Sequence, residues 1–135
     1  MNDKQIEKLI EVLRSGEDED DRRQAADRLI KMARGNETAI AALIRLLLDE
    51  SGSEDSRRQA ATILGEIANG HQTAIASLLE LLDVSRDWDT SRVVADSLAK
   101  TIKGRKGKLV AIASLSLQTY WMEEKNYRKG LYDLS

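Results

Sequence analysis

General acid–base or nucleophilic catalysis needs a base, an orienting partner and a nucleophile within reach. For that work this chain offers one histidine, His71, directly after Gly70. Cysteine is absent, so thiolate chemistry, disulfides and Cys/His metal clusters have no ligands here. No Gly-x-x-x-x-Gly-Lys-Ser/Thr run marks a nucleotide site. The acidic run Glu17–Asp18–Glu19–Asp20–Asp21 has charge enough for calcium, but lacks the alternating spacing, central glycine and distal glutamate of an EF-hand loop. Such a run ordinarily opposes the positive end of a helix dipole, worth about 0.3–1 kcal/mol per residue at best. A basic cluster, Lys100, Lys103, Arg105, Lys106 and Lys108 around Gly104 and Gly107, has the flexible cations that bind phosphates. The same cations suit a helix C-terminus, and no aromatics are interleaved to stack on bases. The chain therefore reads as a non-enzyme without cofactor or metal. Nucleic-acid binding through Lys103, Arg105, Lys106 and Lys108 is the alternative to a protein partner.

Composition narrows the class. Lys plus Arg (21) nearly balance Asp plus Glu (23), and the net charge of −2 exerts no general pull toward nucleic acid or anionic membranes. No apolar run approaches the roughly 20 residues that cross a bilayer, and Met1–Asn2–Asp3–Lys4–Gln5 lacks the apolar centre of a signal peptide. A soluble, cytoplasmic protein is expected. Proline and phenylalanine are both absent, which leaves Gly and Asx caps as punctuation and Leu, Ile, Ala and Val as the core. Strand alternation is missing as well, so the chain reads as all-α.

What must position everything else is a repeated unit. Arg58–Gln59–Ala60–Ala61, Leu64, Gly70 and Thr73–Ala74–Ile75 stand 35 residues after Arg23–Gln24–Ala25–Ala26, Leu29, Gly35 and Thr38–Ala39–Ile40. Arg92, Ala95, Leu98 and Gly104 follow 34 residues later. Self-similarity at such a period marks a stacked-repeat architecture. Ile6, Leu9, Ile10 and Leu13 predict a first helix over Lys4–Arg14, with Asp3 as N-cap and Gly16 as stop. It matches the second half of a unit. Further helices are predicted from about Asp21 to Arg34, burying Ala25, Ala26, Leu29, Ile30 and Ala33, and from Glu37 to Leu48 behind the cap Asn36. The next pair opens at Asp55 and resumes after His71, which takes the Asn36 slot; the last opens at Asp89 and resumes at Leu109. That makes seven helices in about three and a half antiparallel pairs. Gly35, Gly70 and Gly104 are expected at C′ with positive φ.

An Asp three residues before an Arg recurs as Asp20/Arg23, Asp55/Arg58 and Asp89/Arg92, followed by small alanines, a leucine and a Gly-bounded turn into an aliphatic second helix. This pattern resembles HEAT repeats, most of all the short ones of cyanobacterial and other bacterial proteins, including the tails of NACHT-type signalling NTPases. The aromatic and proline signposts of tetratricopeptide repeats and the Thr-Pro-Leu-His turn of ankyrin repeats are missing. The resemblance covers about residues 4–115 and departs from the pattern at His71, at Val93–Val94 and in the Lys/Gly-rich third turn. It implies an α-solenoid, a right-handed superhelical stack whose second helices line the concave face and bind proteins. HEAT-containing chromophore lyases add, by fold analogy alone, a bilin-lyase-like chaperone role. Each Asp is expected to cap its helix, and each Arg to reach an Asp of its own or the adjacent unit, making a structural ladder.

Outward positions of the second helices align across units. Glu11, Arg45, Glu80 and Ser114 form one row; Glu7, Ala41, Ala76 and Val110 another; Lys8, Ala42, Ser77 and Ala111 a third. Small residues beside one alternating charge row make a shallow groove for a partner helix or extended peptide. An ordinary solvated face with weak inter-unit ion pairs is the competing reading. Residues 119–135 hold all three tyrosines and Trp121. They are expected to cap a repeat domain spanning residues 1–118, with Trp121 buried; docking onto a partner or a second copy is the alternative.

Overall fold

A computed structural model of the protein describes residues 1–102. Six α-helices follow one another, with no strand among the described residues: α1 (Asp3–Ser15), α2 (Glu19–Met32), α3 (Glu37–Leu48), α4 (Glu54–Ile67), α5 (Gln72–Val84) and α6 (Trp88–Thr101). Helices pack in the sequence pairs α1 with α2, α3 with α4 and α5 with α6, and each packs on its counterpart one pair along: α1 on α3, α3 on α5, α2 on α4 and α4 on α6. Pairs that touch only adjacent pairs make an α-solenoid. The helix expected from Leu109, the Gly104 turn and the end segment 119–135 lie outside the described residues.

The helix starts differ from expectation in one consistent way. α1 is capped by Asn2 rather than Asp3: Asn2 Oδ1 accepts the Gln5 N–H at 2.9 Å while the Gln5 side chain accepts the Asn2 N–H at 3.1 Å, a complete capping box. The first helix of every unit begins two residues ahead of the capping aspartates expected from the repeat. Asp18, Ser53 and Asp87 are the caps, accepting from the N–H groups of Asp20 (2.8 Å), Ser56 (3.1 Å) and Thr90 (3.0 Å). Asp20, Asp55 and Asp89 therefore stand at the second helical position, where a carboxylate favours the dipole without capping it. In the run 17–21 three aspartates, Asp18, Asp20 and Asp21, are acceptable caps, so composition alone does not choose among them.

The stops carry more of the architecture. Gly35 and Gly70 have φ of 70° and 72°, the left-handed region that glycine enters without penalty. They lie one residue beyond C′, because Ala33 and Ala68 are the C-caps. Each amide reaches into the next unit: Gly35 N–H donates to the Ile67 carbonyl at 2.8 Å and Gly70 N–H to the Thr101 carbonyl at 2.7 Å. One turn thus ends its own helix and satisfies an orphan carbonyl at the end of the next.

The core between the layers is aliphatic, with Ile6, Leu13, Leu29, Leu43, Leu64 and Leu98 wholly buried. Of the residues expected inside α2, Ala25, Leu29 and Ala33 are buried while Ala26 and Ile30 are only half-buried. α4 and α6 approach so closely that a Cβ on Gly65 would lie 3.0 Å from Ser97 Cα. Small residues here set the spacing of the stack.

Candidate partner-binding face

The second helices α1, α3 and α5 present most of the residues singled out by alignment. Glu11, Ala41, Arg45, Ala76 and Glu80 are exposed. Ser77 is not: it is 6% exposed, and its Oγ donates to the Thr73 carbonyl at 2.8 Å. A hydroxyl that bonds back to its own helix is satisfied there, so the position tolerates burial and leaves the face. The third row closes along the stack, from exposed Lys8 through half-buried Ala42 to Ser77. Ser114 lies outside the described residues.

The charge row is divided between two clefts. Glu11 and Arg45 share a cleft of about 400 Å³ between α1 and α3, lined also by Glu7, Arg14, Asp49, Ile10, Ala42 and Leu46. Glu80 lies in a second, of about 370 Å³, where α3 and α5 end and α4 begins. In the first cleft Arg14 pairs with Glu11, and Ser15 Oγ donates to the same carboxylate at 3.0 Å. The Arg14 bond, then the Ser15 bond, hold Glu11 below its ordinary carboxylate range. Asp49 is also lowered, chiefly by the Ser51 hydroxyl at 2.6 Å and then by the Ser51 N–H at 3.0 Å. Arg45 makes no hydrogen bond or ion pair among the described residues. The result is a partly apolar lining with two locally bonded anions, Glu11 on α1 and Asp49 at the end of α3, and one uncommitted guanidinium on α3.

The arginine series behaves differently in each unit. Arg58 pairs with Asp55 in its own helix and reaches α6, with Asp87 Oδ1 at 3.6 Å and Thr90 Oγ1 at 3.2 Å; Thr90 Oγ1 in turn donates to Glu54 at 2.6 Å. Asp55, the nearest anion, raises the Arg58 pKa, while the Thr90 N–H is the main cause of the lowered Asp87 pKa. Arg23 reaches only Glu19, at 3.5 Å in its own helix, because the next unit's cap is the uncharged Ser53. Arg92, Asp20 and Asp89 are exposed.

Two arginines beside that series were not singled out. Arg22 Nη1 donates to the Gly16 carbonyl at 2.5 Å, and Arg57 Nε and Nη2 donate to the Asp49 carbonyl at 3.0 and 2.7 Å. Each fastens the loop that enters its unit; the doublets Arg22–Arg23 and Arg57–Arg58 were the available signal. His71 caps α5 as the alignment implied, its Nδ1 accepting the Ala74 N–H at 3.2 Å. A ring that accepts at Nδ1 carries its proton on Nε2, which stands 3.0 Å from Glu37 Oε2 of the preceding unit. Lys100 pairs with Glu66 at 2.8 Å, while Lys103, Arg105, Lys106 and Lys108 lie outside the described residues. Among the described residues, no three His, Asp or Glu side chains group to hold a metal, and no helix is long and apolar enough to cross a membrane.

No curated protein and no solved structure matches the chain. A family model described as HEAT repeats matches residues 6–99, which span α1 to the last turn of α6. That match covers more than half of the sequence and agrees with the stacked helical pairs: the chain belongs to the HEAT-repeat family.

Proposed function

We propose that this chain is a protein-interaction module that takes its partner along the exposed faces of α1, α3 and α5, with the cleft between α1 and α3 as the entry point. HEAT repeats are generally protein-interaction scaffolds. The observation that carries the reading to this face is Arg45, uncommitted in a cleft that it shares with Ile10, Ala42 and Leu46 and with Glu11 and Asp49, whose pKa values are lowered by their own local bonds. Such a cleft receives a helix or extended segment that offers an acceptor to Arg45 and apolar side chains to the apolar part of the lining. The role is binding rather than catalysis, with residues 1–118 as scaffold and residues 119–135 closing its end.

The test is capture from lysate on immobilised protein, comparing wild type with Glu11→Arg combined with Arg45→Glu. Both residues are exposed, so circular dichroism should report unchanged helicity. Loss of the captured protein at unchanged helicity supports this face. Equal capture by the variant refutes it.

A further inference from the structure

We propose that the second cleft, at the ends of α3 and α5, docks a cationic amphipathic segment of a partner protein. The repeats provide their own control. Thirteen residues after the N-cap of the second helix stand Ser15 and Asp49 in the first two cases, and Val84 in the third. The first position of the opening helix is Glu19 in α2, Glu54 in α4 and Trp88 in α6. Stacking therefore asks for nothing apolar at either position. Yet Val84 is 62% exposed and Trp88 is 51% exposed, on either side of the same short loop. A third departure falls at the same end. The register that holds loop-clamping Arg22 and Arg57 holds Ser91, which is 4% exposed and whose Oγ has no hydrogen-bond partner.

Charge selects the occupant. Glu50 and Glu80 line this cleft without an ion pair among the described residues, and the acid Asp83 precedes Val84. Arg57 also lines it but is turned onto the Asp49 carbonyl, which leaves Arg86 as the remaining cation of the lining. The floor is Leu48, Leu81 and Val84. A segment with Leu-type side chains on one face and Lys or Arg beside them covers that floor and meets Glu50 and Glu80. Trp88, two residues beyond Arg86 of the lining, adds an exposed indole that a flanking cation can cover. This surface is distinct from the α1–α3 cleft, and changes at Glu11 and Arg45 leave it intact.

The experiment measures fluorescence anisotropy of a labelled 18-residue peptide of Leu and Lys, with Leu at positions i, i+3, i+4 and i+7, at about 150 mM salt. Peptides of the same spacing with Glu for Lys, and with Ser for Leu, are the controls. The Leu/Lys peptide should bind at least tenfold more tightly than either. Removing the apolar pair without adding charge, Val84→Ser with Trp88→Gln, should weaken it tenfold or more, as should Glu50→Lys with Glu80→Lys. All four positions are exposed, and circular dichroism verifies the fold. Equal binding of the Ser-for-Leu peptide means simple counterion attraction and overturns the proposal. So does equal binding of the Leu/Glu peptide, or of the Leu/Lys peptide to either variant.

Discussion

Gly35→Ala isolates what the turn contributes. At φ 70° an alanine Cβ would meet no atom within 4 Å, so no clash enters. The amide that donates to Ile67 is also retained. What remains is backbone strain: left-handed conformation costs an L-residue about 1–2 kcal/mol. Restricting the unfolded chain returns about 0.4–1 kcal/mol of this. The net loss is about 1 kcal/mol, which at a urea slope of about 2 kcal/mol/M moves the unfolding midpoint by about 0.5 M. Gly70→Ala, at φ 72° and equally open, should lose about the same, and Gly35→Asn clearly less because asparagine tolerates this region. The assay is urea denaturation followed by circular dichroism. An alanine variant as stable as wild type, or asparagine and alanine losing equally, would refute the left-handed turn.

Other perturbations address separate parts of the stack. Leu64→Ala empties a wholly buried position facing the inter-helix core and should cost about 2–5 kcal/mol; a loss below about 1 kcal/mol places Leu64 elsewhere. His71→Ala removes the α5 cap and should cost about 1 kcal/mol, whereas His71→Asn keeps a cap acceptor and should stay within a few tenths; equal losses contradict the capping geometry. Asp87 has its pKa lowered by the Thr90 N–H and then by Arg58, so its charged form stabilises the fold above the ordinary carboxylate range. That contribution should vanish as pH falls through the lowered folded value. The stability gap between wild type and Asp87→Asn should accordingly be widest near neutrality and close in acid, as read by urea midpoints across pH; a gap independent of pH removes the charge from the account.

Helix α3 was legible to its ends, Glu37–Leu48, because Gly35 and Asn36 mark its start and an aliphatic stripe its body. The starts of α2, α4 and α6 were not, because each offers more than one Asp or Ser within a few residues, and these are equivalent caps until the chain is folded. The exposed row Glu11, Arg45 and Glu80 was readable from period alone. Its division between two clefts was not, since that depends on where α3 ends relative to α1 and α5. Gly65 escaped notice because a mid-helix glycine declares its purpose only through the partner it admits, here Ser97. Ser77 misled because a serine at an outward-looking register can bond to its own helix and be covered.

The claim that the second helices carry the partner is tested most directly by site-specific photo-crosslinking. A benzophenone amino acid is placed at exposed Ala41 on α3 and, separately, at exposed Asp27 on α2, and each protein is irradiated in lysate. The account predicts one discrete adduct from position 41, lost when Glu11 and Arg45 exchange charge, and none from position 27. An adduct from position 27 alone, or from position 41 regardless of that exchange, would contradict it.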